Sequence, residues 1–176
     1  MKKKIISAGL LLFCMTTLGA CAISETGQYV DKLDQSDEGW TLVWNDEFGG
    51  ESLDRTKWDY QYGNGGEYGI SGWGNNEWQY YLGRPENVSV EDGKLVITAC
   101  KEDNIYTSGR IRTITNQGEV LFSTAYGRIE ARIKCPVGEG LWPAFWMLPT
   151  QEGIDAYGTW AASGELDIMD SVQQPP

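Results

Sequence analysis

A chain of 176 residues with eight Trp, nine Tyr and 22 Gly is long enough for one domain with a substantial core. Its formal net charge of −11, with no run of Lys or Arg beyond the N-terminus, repels polyanions and argues against nucleic acid as a partner. These residues include no histidine, which removes Ser-His-Asp and Cys-His catalysis and any His-ligated metal, so carboxylates must carry the acid–base chemistry.

The chain opens with MKKKIISAGLLLFCMTTLGAC, in which Lys2, Lys3 and Lys4 precede an apolar run from Ile5 to about Phe13, then small residues and Cys21. That run is shorter than the ~20 apolar residues of a membrane-spanning helix and reads as an export signal over residues 1–21. Leu18-Gly19-Ala20-Cys21 resembles the bacterial lipobox, whose Cys becomes the lipidated first residue of the mature protein. The plainer alternative is a cleaved signal with an incidental Cys. Either way the protein is exported, as a cell-envelope lipoprotein held at a membrane through Cys21 or as a secreted protein. Residues 22–39 are polar and acidic and suit a tether, which leaves 40–176 for the folded domain. With Cys14 in the signal, Cys100 and Cys135 remain, and two cysteines of an exported protein can pair. Cys135 also continues an inward series of Ile129, Ala131 and Ile133, so a buried free thiol is an equal reading.

NVSVEDGKLVITA places two β-rich runs around an Asp-Gly turn, the pattern of a hairpin. GRIEARIK alternates Ile129, Ala131 and Ile133 against charged residues, as a strand with one wet face does. LWPAFWMLP is an apolar, aromatic run between prolines, and no segment after Trp40 keeps a helical period over three turns. Many short strands with turn signals predict an antiparallel sandwich or barrel.

The most informative stretch is SGELDIMDS, in which Glu165, Asp167 and Asp170 interleave with Leu, Ile and Met. Read as a strand, it puts Glu165 and Asp167 on one face and Leu166 and Ile168 on the other, with Asp170 out of step. A β-bulge at Ile168–Met169 brings Asp170 back beside the other two acids. A solvated outer face explains the same pattern, and clustered carboxylates also suit a hard cation such as calcium. Trp142, Trp146 and Trp160 point elsewhere: aromatic faces beside carboxylates are what a sugar-binding cleft needs.

LVWNDEF (42–48), GWGNNEWQYY (72–81), YTSGRI (106–111), YGRIEARIK (126–134), GLWPAFWMLP (140–149) and SGELDIMD (163–170) together closely resemble the glycoside hydrolase family 16 enzymes, in their laminarinase-like branch. The resemblance implies an all-β fold, an antiparallel jelly-roll sandwich of the concanavalin A-like kind, with a glucan cleft on its concave face. It also implies endo-hydrolysis of β-1,3 or mixed β-1,3-1,4 glucans with retention. A two-carboxylate reaction requires no cofactor and no catalytic metal, and a structural calcium ion stays open. Glu165 then corresponds to the nucleophile, Asp167 to the residue that tunes and orients the pair, and Asp170 to the acid/base. Trp142, Trp146 and Trp160 correspond to cleft aromatics, and Asn76 and Arg110 fall in motifs that surround the sugar subsites. Retaining enzymes hold their two carboxyls ~5–5.5 Å apart, near the separation of neighbours on one strand face after a bulge.

The chain departs from the family's pattern in three places. The acid/base is a Glu in the family and Asp170 here, Trp160 is followed by Ala161 in place of Pro, and the chain stops soon after the catalytic strand, where the family continues with more strands. The expectation is therefore a domain shortened at its C-terminus. A non-catalytic β-glucan-binding protein of the same fold is the alternative function, and a relative acting on galactans a third.

Overall fold

The computed structural model describes residues 3–8, 39–150 and 160–172. Of these, 3–8, 46–150 and 160–172 belong to one compact unit, and 39–45 belong to a second. The lipobox with Cys21 and residues 22–38 of the tether lie outside the described residues.

The fold is all-β. Besides strands, the described residues hold two short 3-10 turns, Gly66–Tyr68 and Ser71–Gly74. Strands β4 (Val88–Val90) and β5 (Lys94–Glu102) are the expected hairpin. The Glu91 N–H donates to the Lys94 carbonyl at 2.9 Å and the Lys94 N–H donates back at 3.1 Å, which closes a two-residue loop. Asp92 and Gly93 sit at φ 51 and 68, the left-handed pair that matches the strand twist and that Asp-Gly adopts at low cost.

Strand β5 is the spine of a six-stranded sheet. Along one side it pairs with β4 and with β6 (Ile105–Ser108), and along the other with β1 (Lys3–Ala8). Strand β1, drawn from the segment whose composition reads as an export signal, pairs in turn with β8 (Arg132–Lys134), while β3 (Gln79–Tyr81) lies at the far edge against β6. The β3–β6 pair is parallel, which departs from the all-antiparallel expectation. The reason is parity: the 82–87 connection passes from β3 to β4 without reversing the chain, and β4 and β6 both run against β5.

Among the described residues two ribbons accompany this sheet: β2 (Asp59–Tyr60) with β7 (Ile111–Arg112), and β9 (Ala144–Met147) with β10 (Leu166–Asp170). Leu53, Val88 and Leu95 form the buried core, with Phe48, Trp58, Tyr60, Ile97 and Ile111 packed around them. Each such Leu or Val contributes about 1.5–3 kcal/mol through the apolar surface it removes from water.

A polar post stands beside this core. Asn87 is fully buried, its Nδ2 donates to the Thr98 carbonyl and to Thr107 Oγ1, both at 3.0 Å, and its Oδ1 accepts from Arg84 Nε at 2.8 Å. One side chain thereby ties the loop before β4 to both β5 and β6.

The strand expected across GRIEARIK is shorter in the structure. Only Arg132–Lys134 pair, against three residues of β1, and Ala131 is exposed while Ile129 and Ile133 are half-buried. A run with strand alternation forms a ladder only where a neighbour supplies one. Cys100 and Cys135 are free thiols: Cys100 is buried and donates to the Glu86 carbonyl, and half-buried Cys135 lies 3.8 Å from Met169 Sδ.

Candidate active site

Strand β10 carries the acids. Against β9 it pairs Leu166 with Met147 and Asp167 with Trp146, then slips so that Met169 faces Phe145 and Asp170 faces Ala144. Between Asp167 and Met169 the strand advances two residues while β9 advances one, so Ile168 is the extra residue of a bulge. Ala144 and Trp146 are two apart on β9 and share a face, so their partners Asp170 and Asp167 share it too. The opposite face carries Phe145, Met147, Leu166 and Met169. The uneven acid spacing is thus converted into a single acidic face, and Glu165, two residues before Asp167, is in step with it.

Two tryptophans from flanking loops meet these acids. Trp160 Nε1 donates to Glu165 Oε2 at 2.8 Å, and Trp142 Nε1 donates to Asp170 Oδ1. The Ser171 N–H donates to the Pro143 carbonyl at 3.1 Å, tying the Trp142 loop to the end of β10. A turn closed by the Gly164 N–H on the Ala161 carbonyl, with Gly164 at φ 83, folds Trp160 back toward Glu165.

Trp146, paired with Asp167, uses its ring face. The Arg110 guanidinium lies 4.9 Å from its centroid, 4.4 Å from that of Trp73 and 5.8 Å from that of Tyr81. Burial among these rings lowers the Arg110 pKa from its ordinary value, opposed by Tyr81 and the Glu77 charge. Tyr81 donates to Glu77 Oε2 at 3.1 Å, and burial first, then the Glu77 charge, push its phenol up to about 12. The backbone fixes this cage: the Gln61 N–H bonds the Arg110 carbonyl, and Gly63 bridges to Tyr81.

Glu165, Asp167, Asp170, Trp142, Trp146, Trp160 and Arg110 are thus linked through paired strands and direct contacts. Asn76 is exposed at φ 55 on the loop after Trp73, and among the described residues the contacts that join the other candidates do not include it. Trp73, Glu77 and Tyr81 were not singled out from the sequence, although all three lie in the GWGNNEWQYY motif at four-residue intervals. A cavity of about 500 Å³ is lined by Gly127, Met147, Gly164, Glu165 and Leu166 among others. Glu165 is the one catalytic candidate in that lining, and Met147 and Leu166 belong to the face opposite Asp167. Among the described residues no three Cys, Asp or Glu side chains are grouped as a metal site.

Residues 75–172 match the sequence profile of the family described as Glycosyl hydrolases family 16. A beta-glucanase of Rhodothermus marinus is 44% identical over 148 residues, which cover 79% of this chain and 47% of that protein. A beta-1,3-glucan-binding protein of Penaeus monodon is 50% identical over 68 residues, 39% of this chain and 16% of that protein. Among solved structures, the laminarinase from Flavobacterium sp. UMI-01 superposes with a TM-score of 0.65 at 46% identity, covering 77% of this chain and 54% of that one. The chain therefore spans about half, or less, of the length of each relative it matches.

Proposed function

The chain belongs to glycosyl hydrolases family 16, and on that premise we propose that it hydrolyses β-1,3 or mixed β-1,3-1,4 glucans within the chain, with retention of configuration. The observation that carries this reading is the register shift in β10, which puts Asp167 and Asp170 on one face with Glu165 in step. Two carboxyls on one strand face suit a double-displacement reaction. Glu165 forms a bond to the anomeric carbon as the glycosidic C–O bond breaks, and Asp170 gives its proton to the departing oxygen. Water then attacks the anomeric carbon, loses a proton to Asp170 and releases Glu165 as a carboxylate. Asp167, between the two, orients them. Likeness to a laminarinase and a beta-glucanase supports the substrate class.

A second reading, glucan binding without turnover, is favoured by the short Asp170 side chain and by the likeness to a beta-1,3-glucan-binding protein. Reducing-end release from laminarin, lichenan and agarose, measured beside retention on insoluble β-glucan, separates the two. Release from laminarin or lichenan supports hydrolysis. Retention without release rejects it in favour of binding, and release from agarose alone moves the substrate class to galactans.

At the N-terminus, the three lysines, the apolar run and Cys21 at its end support an exported protein held at a membrane by lipid on Cys21.

A further inference from the structure

We propose that Trp142 and Trp160 are positioning residues that act through their indole N–H groups on Asp170 and Glu165, alongside any contact their ring faces make with sugar. The proposal rests on the hydrolase reading above and assigns those two side chains a part in it beyond that of cleft aromatics. An indole has one N–H, which only donates, and an ionised carboxylate only accepts. Each N–H is aimed at one oxygen of one acid: Trp160 at Glu165 Oε2, 2.8 Å away, and Trp142 at Asp170 Oδ1.

The chemical consequence differs for the two acids. With Oε2 of Glu165 engaged, Oε1 is the oxygen left to form the bond to the anomeric carbon. With an N–H pointed at Oδ1 of Asp170, the proton to be transferred resides on Oδ2. Each tryptophan therefore selects the reacting oxygen. Both loops are built for this, one by the Ser171–Pro143 bond just beyond Asp170 and the other by the Gly164 turn just before Glu165. Trp146 provides the contrast within the same site, since its ring face is engaged by Arg110. Trp142 and Trp160 are 47% and 67% exposed, so water competes for these bonds in the free protein, and they gain weight once a glucan displaces it.

The test removes the N–H and keeps the ring. β-(3-Benzothienyl)alanine, which carries sulfur in place of the indole nitrogen, is incorporated at position 142 or 160, beside Trp→Ala at each. Loss of a hydrogen bond to a charged group predicts a fall in kcat on laminarin of roughly 10- to 100-fold at each site, with KM within about twofold. Benzothienyl variants with unchanged kcat, beside Trp→Ala variants with raised KM, would make the rings platforms and overturn the proposal. The contacts are read separately from activity by the indole N–H resonances. Asp170→Ala should shift the Trp142 signal and Glu165→Ala the Trp160 signal, each selectively, and failure of that pairing overturns the proposal as well. A wild-type protein that releases no reducing ends, with the pairing intact, overturns the hydrolase reading instead.

Discussion

Replacing Asn87 by Leu keeps the branched outline of the side chain, at somewhat greater volume, and removes both of its polar ends. The Thr98 carbonyl and the Thr107 hydroxyl, each on a residue 6% exposed, lose the Asn87 donor, while Arg84 has a side chain 36% exposed and finds water. Thr107 keeps a weak contact from Arg84 at 3.3 Å, so the main cost falls on the Thr98 carbonyl. A buried polar group left unsatisfied costs about 1–3 kcal/mol, and the lost bonds bring the expected destabilisation to about 2–4 kcal/mol. For a domain of this size that lowers Tm by roughly 5–15 °C. Equilibrium urea unfolding of wild type and Asn87→Leu, with unchanged m values, measures it. A loss below about 0.5 kcal/mol would show that Asn87 does not hold β4, β5 and β6 together as described.

Three further outcomes are expected. Asp170→Glu extends the acid by one methylene, and since a misplacement of roughly 1 Å can cost on the order of 100-fold, laminarin hydrolysis should rise well above wild type, whereas Glu165→Gln should abolish it; an unchanged rate for Asp170→Glu would remove position 170 from the acid/base role. Tyr81, neutral up to about pH 12 when folded and to about pH 10 when unfolded, contributes stability that is complete below pH 10 and lost as pH rises to 12. The loss amounts to about 2–3 kcal/mol, so thermal melts from pH 9 to 12 should fall more steeply for wild type than for Tyr81→Phe, and parallel curves would contradict this. Cys21→Ser should release the protein from membranes or block its processing, and a native mature N-terminus downstream of Cys21 without lipid would reject the anchor.

What the sequence showed, and what it hid, follows from the range of each interaction. The β4–β5 hairpin was legible because Asp92-Gly93 sets its own turn locally, and the bulge was legible because alternation fails visibly between Asp167 and Asp170. GRIEARIK was over-read because alternation reports which residues could form a strand, while the ladder depends on a partner distant in sequence. The parallel β3–β6 pair depends on the sense of the connections between strands, which residue pattern does not encode. At the site, the acids and tryptophans stand out in the sequence by composition and motif. Whether an indole offers its face or its N–H is set by loop closure, through contacts such as Ser171 with Pro143, and is invisible until the fold is in hand. The Arg110 cage was missed in part because its members come from three separate segments, around residues 73–81, 110 and 146, of which the first two meet through the β3–β6 pair and through residues 59–63.

Asn87-Val88-Ser89 is also an acceptor sequence for N-linked glycosylation. With Asn87 wholly enclosed, no glycosyltransferase can reach it in the folded protein, but an unfolded chain entering a eukaryotic secretory pathway would offer it freely. A glycan attached there would occupy the nitrogen that must bond Thr98 and Thr107, so modification and folding would compete for one atom. Production in such a host should yield glycosylated, misfolded material beside a clean folded fraction. Ser89→Ala should restore the yield at little cost, because the Ser89 hydroxyl serves only an exposed contact with Glu91.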